Sequence, residues 1–265
     1  MRRTAVLLSL IGLIALASSP AGAIVYGQPD GNRHPNVGTL VIDIDGEKFS
    51  ICSGTLIAPA VFLTASHCTA FLEPEFGTNR VWVSFDPVFD PETARLFPGT
   101  AHTHPEFGFS GPDGFSDPHD IAVVVLDQAP RITPAQLPTE GLLDQLKASG
   151  DLDDQTFTAV GYGTVRETRT KAHQSILDNL ERRFGLQHMN ALRPFWLQLT
   201  MNQATGNAGT CFGDSGGPHF LGGETSNLVV SITVTGDRWC KATDTTYRVD
   251  TESARAFLDD FVTLP

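Results

Sequence analysis

The apolar residues of this chain fall into short runs that alternate with turn residues. The candidate strands are Val37–Ile44, Ser50–Ile57, Val61–Thr64, Val81–Phe85, Ile121–Leu126, Thr156–Val160 and Leu228–Val234. These runs are rich in Val, Ile, Thr and Phe and are bounded by Gly, Pro, Asn and Asp, which is typical of strands. Asp45 and Gly46, between the first two runs, form a hairpin signal. The spacing predicts an all-β barrel or sandwich.

Two internal regions depart from this pattern. Residues 85–120 contain several prolines and glycines and are predicted to form surface loops. Residues 174–186 are charged with only a few apolar positions, so they form either a short helix or a loop excursion.

The C-terminal residues show the clearest helical period. Apolar side chains recur at i, i+3, i+4, i+7 and i+8, namely Ala254, Phe257, Leu258, Phe261 and Val262. This spacing predicts a helix with one apolar face. Asp250 or Thr251 is the candidate N-cap.

The first 23 residues have the pattern of a secretory signal peptide. Arg2 and Arg3 supply the charged start, Ala5–Ala17 is apolar, and Ala21–Ala23 is a small-residue cleavage site. The alternative, a membrane anchor, is disfavoured because the apolar run is too short to span a bilayer comfortably. We therefore expect a secreted, extracellular protein whose mature domain is 24–265.

Composition narrows the possible partners. The net charge of −12 disfavours nucleic acid and anionic membranes as partners. The chain has 4 cysteines, which in an exported protein indicates two disulfides with three possible pairings. Nothing in the chain requires an organic cofactor, and we expect a monomer. His102 and His104 form a pair without an evident cysteine or carboxylate partner, so we predict no metal site.

The candidate chemistry centres on Gly213–Pro218, which reads Gly-Asp-Ser-Gly-Gly-Pro. A serine hydroxyl needs a base to become a nucleophile, and glycines allow backbone N–H groups to approach an oxyanion. His67 follows one candidate strand and Asp120 precedes another. The order histidine, aspartate, serine argues against an α/β-hydrolase, in which the histidine comes last. The only histidine after Ser215 is the adjacent His219.

Three motifs in this order resemble the signatures of the chymotrypsin-like (trypsin superfamily) serine proteases. They are Thr64–Cys68 (Thr-Ala-Ser-His-Cys), Asp120–Ala122 (Asp-Ile-Ala) and Gly213–Pro218, while Ile24–Gly27 resembles the mature N-terminus of that family. The resemblance implies two packed six-stranded antiparallel β-barrels with a C-terminal α-helix. The N-terminal barrel would take about 24–130 and the C-terminal barrel about 131–265.

The resemblance also implies a function and its residues. A secreted serine endopeptidase would cleave protein or peptide substrates through an acyl-enzyme, with Ser215 as nucleophile, His67 as base and Asp120 as its orienting acid. The N–H groups of Gly213 and Ser215 would form the oxyanion hole. The alternative is a catalytically silent relative that acts as a binding or adhesive protein.

The resemblance implies further pairings. The α-amino group of Ile24, released by cleavage after Ala23, would pair with Asp214. Cys52 would join Cys68, closing a loop of about 16 residues worth roughly 3 kcal/mol, and Cys211 would join Cys240.

The resemblance also implies a specificity pocket. Gly209 would lie at its base and Ser231 would support Asp120. Thr233 would narrow the pocket and favour a small or medium side chain, whereas Asp244 on the opposite wall would attract Lys or Arg. The remaining histidines are interpreted as solvated or loop residues: His34, His102, His104, His119, His173, His188 and His219.

Overall fold

The structure is a computed structural model that describes residues 24–108, 116–166, 176–177 and 179–265. The predicted signal peptide and His173 lie outside these residues. The strands are β1 Gln28–Pro29, β2 Val37–Ile44, β3 Glu47–Ala58, β4 Val61–Thr64, β5 Arg80–Ser84, β6 Leu96–Thr103, β7 Ala122–Leu126, β8 Thr156–Gly161, β9 Val165–Arg166, β10 Ile176–Leu177, β11 Arg183–Leu192, β12 Trp196–Thr200, β13 Pro218–Leu221, β14 Val229–Gly236 and β15 Thr243–Arg248. The α-helices are α1 Leu72–Phe76, α2 Leu142–Ser149 and α3 Glu252–Asp259.

Six strands close the first barrel in the order β2-β3-β4-β7-β6-β5. The β2–β3 hairpin turns at Asp45 and Gly46, whose φ angles of 56° and 91° are both positive. Such a turn matches the twist of the paired strands, which is why Asp-Gly is favoured there. The predicted hairpin is confirmed.

Six further antiparallel strands form the second barrel. They follow the order β11-β12-β15-β14-β13-β8, and the ring closes because β8 also pairs with β11. Strand β1 adds to the outside of β11. The predicted C-terminal helix is confirmed as α3, and Thr251 caps it by accepting a hydrogen bond from the N–H of Ala254. The fold is therefore the predicted pair of barrels with a C-terminal helix.

Helix α3 leaves the second barrel and packs against the first. The ring of Phe257 lies 4.9 Å from that of His104, and the ring of Phe261 lies 5.2 Å from that of His102 in β6. None of the helices within the described ranges is long and apolar enough to cross a membrane.

Two regional predictions are wrong in part. Within 85–120 the described residues outside β6 form loops, as predicted, but β6 is a strand in which Phe97, Gly99 and Ala101 alternate inward while Pro98 lies between them. Residues 174–186 were expected to form a helix or loop but include β10 and the start of β11. In both cases proline or charge masked the two-residue alternation that a strand requires.

A buried arginine ties the two barrels together. Arg182, just before β11, is fully buried, and its Nε donates to Asp30 at 2.9 Å. One terminal nitrogen of the guanidinium donates to the carbonyls of Val37 and Phe85 in the first barrel, at 3.1 and 2.9 Å, and to the hydroxyl of Tyr162. This network fixes how the barrels face each other and therefore the cleft between them.

Candidate active site

His67 and Asp120 meet because their strands are neighbours. His67 lies in a short 3-10 turn just after β4, and Asp120 lies two residues before β7. Strands β4 and β7 pair with Thr64 opposite Ala122, which brings the two segments to the same end of the barrel. The backbone N–H of His67 donates to Asp120 Oδ1 at 2.9 Å, and His67 Nδ1 lies 2.8 Å from Oδ2.

The carboxylate of Asp120 is fully buried, whereas the His67 side chain is 31% exposed. With Nδ1–H donating to Asp120, Nε2 of His67 carries the ring lone pair and is the atom available to accept a proton. This is the geometry of an oriented general base.

Ser66 holds the two segments together, a role that sequence analysis did not identify. Its hydroxyl donates to the carbonyl of Ile121 at 2.7 Å and accepts from the N–H of His104 at 3.1 Å. The Cys52–Cys68 disulfide anchors the other side of the turn to β3. The alternation of buried and polar residues gave no signal for Ser66, because its partners come from distant loops.

The loop that carries Ser215 is held near the end of β4 by backbone contacts. The N–H of Ser53 in β3 donates to the carbonyl of Ser215 at 2.8 Å. Gly216 lies so close to β4 that a Cβ there would be 2.2 Å from Thr64 Oγ1. The loop therefore packs against the end of the strand that leads to His67.

The described contacts of Ser215 include no hydrogen bond from its hydroxyl to His67. Catalytic hydrogen bonds in substrate-free enzymes are often long and tighten only when a substrate is bound. The structure thus joins His67 directly to Asp120 and brings the serine loop beside them through main-chain contacts.

Two backbone donors are available next to the serine. The N–H groups of Gly213 and Ser215 donate to no acceptor among the residues that the structure describes. The carbonyl of Gly213 is held by the hydroxyl of Ser53 at 2.9 Å, and Gly213 has a φ of 92°. Free, oriented N–H groups of this kind suit an oxygen on which negative charge develops.

Asp214 is a fully buried carboxylate beside these donors. It accepts hydrogen bonds from the N–H groups of Gly163 and Cys211, both at 2.8 Å. Burial raises the pKa of Asp214 to about 7, because the two N–H donors only partly offset the loss of solvation. The negative charge of Asp244 raises this pKa further. Within the described part of the chain, no cationic side chain forms an ion pair with it.

The segment that begins at Ile24 is inserted into the second barrel. Ile24 and Val25 are fully buried, and Val25 exchanges two backbone hydrogen bonds with Gly209. Ile24 packs with Ala159 and Ala208.

A cavity of about 130 Å³ opens beside Ser215. It is lined by Thr210, Cys211, Phe212, Ser215, Thr233, Val234, Thr235, Gly236, Asp237, Arg238 and Cys240. The Cys211–Cys240 disulfide joins two of its walls. Thr233 lies in this cavity, as the sequence analysis expected.

Three other pocket assignments are corrected by the structure. Among the described contacts, Ser231 forms no hydrogen bond with Asp120. Its hydroxyl oxygen instead lies 2.8 Å from that of Thr246 inside the second barrel. Gly209 is paired with Val25 and does not line the cavity. Asp244 does not line it either, since the carboxylate is fully buried behind the cavity wall.

His219 and Gln187 surround Asp244, and the sequence pattern predicts neither contact. The Gln187 amide donates to Asp244 Oδ2 at 3.0 Å, and His219 Nε2 lies 3.5 Å from the same oxygen. His219 was interpreted as a solvated or loop residue, but it is fully buried in β13. The available signal was its position between the apolar neighbours Pro218 and Phe220.

One histidine cluster has spacing suited to a metal. Potential ligand atoms of His104, Glu106 and His119 lie within 4.8 Å of one another. However, the N–H of Glu106 donates to His104 Nδ1, so the remaining nitrogen of a neutral His104 carries the ring proton and cannot bind a metal. The cysteines near His67 form a disulfide and offer no thiolate.

Comparisons with known proteins point to the same family by sequence and by structure. The family model described as Trypsin matches residues 28–258. Glucanase inhibitor protein 4 of Phytophthora infestans is 27% identical over 249 residues, covering 88% of this chain and 88% of that protein. A trypsin of Saccharopolyspora erythraea is 26% identical, covering 80% and 87%, and human kallikrein-2 is 27% identical, covering 79% and 82%.

The solved structure of HL collagenase shares the fold. It superposes with a TM-score of 0.64 at 17% identity, covering 91% of this chain and 100% of that one.

Proposed function

The chain belongs to the trypsin family, and from that premise we propose that it is a secreted serine endopeptidase acting on protein or peptide substrates. The observation that carries the proposal is the His67–Asp120 pair, 2.8 Å apart, at the end of the strand against which the Ser215 loop packs. We assign residues 1–23 as the export signal and 24–265 as the peptidase domain, with the barrels divided near residue 130.

The residues have distinct roles in the reaction. His67 Nε2 takes the proton of Ser215 as Oγ attacks the scissile carbonyl, and the N–H groups of Gly213 and Ser215 stabilise the resulting oxyanion. His67 then gives the proton to the leaving amine, and the acyl-enzyme remains. Water, deprotonated by His67, releases the acid and restores Ser215. Asp120 holds the imidazole tautomer and stabilises the imidazolium throughout.

We further propose that export creates the active form. Cleavage after Ala23 would free the α-amino group of Ile24, and the buried carboxylate of Asp214 needs a counter-charge. A cation at this place would hold the loop Gly213–Ser215 and its N–H groups in position. N-terminal sequencing of the secreted protein should therefore begin at Ile24, and any other start would contradict this step.

The decisive experiment compares the secreted wild type with Ser215→Ala. Both are assayed against a protein substrate and a panel of short chromogenic peptides, and both are treated with a serine-directed covalent inhibitor. Loss of the nucleophile should reduce kcat by about 10⁴-fold or more and abolish labelling. Equal rates in the two proteins would contradict the proposal.

A second candidate is a silent family member that binds a partner. It is favoured by one observation, the similarity to a protein named as a glucanase inhibitor. The same experiment separates the two, since a silent protein that begins at Ile24 would neither cleave substrates nor be labelled at Ser215.

A further inference from the structure

Three buried polar side chains form a chain that ends at the cavity beside Ser215. Asp244 and His219 are fully buried, and Thr233 is 4% exposed. His219 Nε2 lies 2.9 Å from the hydroxyl oxygen of Thr233, which lines the cavity. The polar chain therefore runs from Asp244 through His219 to Thr233 at the cavity wall.

The proton of His219 can be placed from its surroundings. Burial lowers the pKa of His219, and Asp244 only partly opposes this, so the ring is neutral near pH 7 and carries one proton. A proton on Nε2 faces two acceptors, Thr233 Oγ1 and Asp244 Oδ2. A proton on Nδ1 would face none within the described ranges, because that atom has no hydrogen-bond partner. The Nε2–H tautomer is therefore favoured.

This tautomer decides what Thr233 offers to a substrate. Because Thr233 Oγ1 accepts from His219, its own hydrogen remains free to donate. No other partner of this hydroxyl is found among the described residues. Since Thr233 lines the cavity, the free hydrogen can point into it.

We propose that Asp244 and His219 are positioning residues that fix the Thr233 hydroxyl as a hydrogen-bond donor, so that the enzyme prefers a small or medium uncharged side chain with an acceptor oxygen before the scissile bond. This inference rests on the proposed function. The cavity of about 130 Å³ suits a side chain such as that of Asn or Thr. Asp244 itself is separated from the cavity by its neutral neighbour His219 and does not reach a basic substrate residue.

The test uses pairs of peptide substrates that differ only in the acceptor. Asn is compared with Leu, and Thr with Val, at the position before the scissile bond, because each pair has nearly the same shape. The active-enzyme concentration is first measured by titration with a serine-directed inhibitor. We expect the acceptor member to have a kcat/KM about tenfold higher, the size of one well-made hydrogen bond.

Variants assign the preference to the polar chain. Thr233→Val should reduce the Asn/Leu ratio to about one, and Thr233→Ser, which keeps the hydroxyl, should retain it. His219→Leu should reduce the ratio, while His219→Gln, whose Nε2 can still donate to Thr233, should largely restore it. Asp244→Asn should reduce the ratio because the amide no longer favours the Nε2–H tautomer. A ratio measured in one sample does not depend on the fraction of folded enzyme.

The possible failures are distinguishable. Equal rates for both members of each pair, in wild type that titrates as active, would overturn this inference and leave the proposed function intact. Preferred cleavage after Lys or Arg would also overturn it, because a carboxylate, such as that of Asp237 in the cavity lining, would then set the preference. Wild type that starts at Ile24 and is neither labelled nor active would instead contradict the proposed function.

Discussion

Two buried aspartates, Asp120 and Asp214, differ in the groups that surround their carboxylates. Asp120 lies against His67, which supplies both a backbone and a ring donor. Asp214 has two backbone donors and no cationic partner among the described side chains. The contacts of Asp120 hold the His67 ring in one orientation. Asp214, in contrast, is a buried carboxylate that lacks a positive charge beside it among the described side chains.

Asp120→Asn tests the orientation of His67. The amide places an NH₂ group or a weaker acceptor opposite Nδ1, so the tautomer that presents a basic Nε2 is no longer favoured. We expect kcat to fall by about 10⁴-fold. Circular dichroism and the thermal midpoint serve as controls, since the near-isosteric change should leave folding intact. A fall of less than tenfold would mean that Asp120 does not orient the base.

Asp214 makes stability depend on pH when the chain continues before Ile24. Its pKa is about 7 in the folded protein, against an ordinary value of 3.8, so the folded state retains a proton that the unfolded state loses between these values. Stability contributed by this group therefore falls as pH rises from about 4 to 7, by up to roughly 1.4 kcal/mol for each pH unit.

The measurement uses Ser215→Ala protein, so that no self-cleavage occurs, in two forms. One carries a short extension before Ile24 and the other begins at Ile24. Urea unfolding at pH 4 and pH 7 should show the loss in the extended form and a smaller loss where the free amine can pair with Asp214. Asp214→Asn in the extended form is the control and should flatten this contribution. An unchanged pH dependence in that control would rule out Asp214 as its source.

At the scale of elements, strands were predictable where apolar and β-branched residues dominate. Val37–Ile44 and Val61–Thr64 coincide with β2 and β4 for this reason. Strand β11 was missed because it buries Arg183 and Gln187, which donate to the distant Gly27 carbonyl and Asp244 carboxylate respectively. Polar residues that are satisfied by distant groups cannot be distinguished from loop residues in the sequence alone.

The β2–β3 turn permits a controlled test of backbone conformation. Neither Gly46 nor Gly223 has a neighbouring atom within 4 Å of an added Cβ, but only Gly46 has a positive φ, of 91°. We expect Gly46→Ala to lower the free energy of unfolding by about 1 kcal/mol, since a side chain disfavours this conformation. Gly223→Ala is the matched control and should cost less. Chemical denaturation of both variants measures the difference, and equal costs would exclude backbone strain as the cause.

At the scale of the molecule, His67, Asp120 and Ser215 could be singled out in the sequence because each lies in its own short motif. The pocket could not, because its lining depends on strand register. The β14–β15 pairing shifts between Thr233 and Thr235, and the β13–β14 pairing shifts between His219 and Phe220. The first shift leaves Val234 out of the pairing, so that Thr233, Val234, Thr235 and Gly236 line the cavity in succession. A count of residues along the chain does not reveal such shifts.

The packing of the two barrels, which creates the cleft, depends on one buried charge network. Burial raises the pKa of Asp30, but the hydrogen bonds from His34 and the charge of Arg182 outweigh it and keep the pKa below 3.8. The carboxylate thus contributes stability above its unfolded pKa, and this contribution is lost as pH falls through the lowered folded value. Lowering the pH through the folded-state pKa of Asp30 should therefore weaken the contact between the barrels.

Arg182→Met tests this network directly. The substitution keeps much of the apolar volume but leaves Asp30 buried without its cation, which typically costs about 3–5 kcal/mol in the free energy of unfolding. Arg80→Met is the matched control, because the Arg80–Asp127 pair is similarly close but lies exposed on the surface, and it should change stability little. Urea unfolding at pH 7 compares the two. If both variants lose the same stability, the buried Arg182–Asp30 pair contributes no more than an exposed pair, and the contact between the barrels does not depend on Arg182.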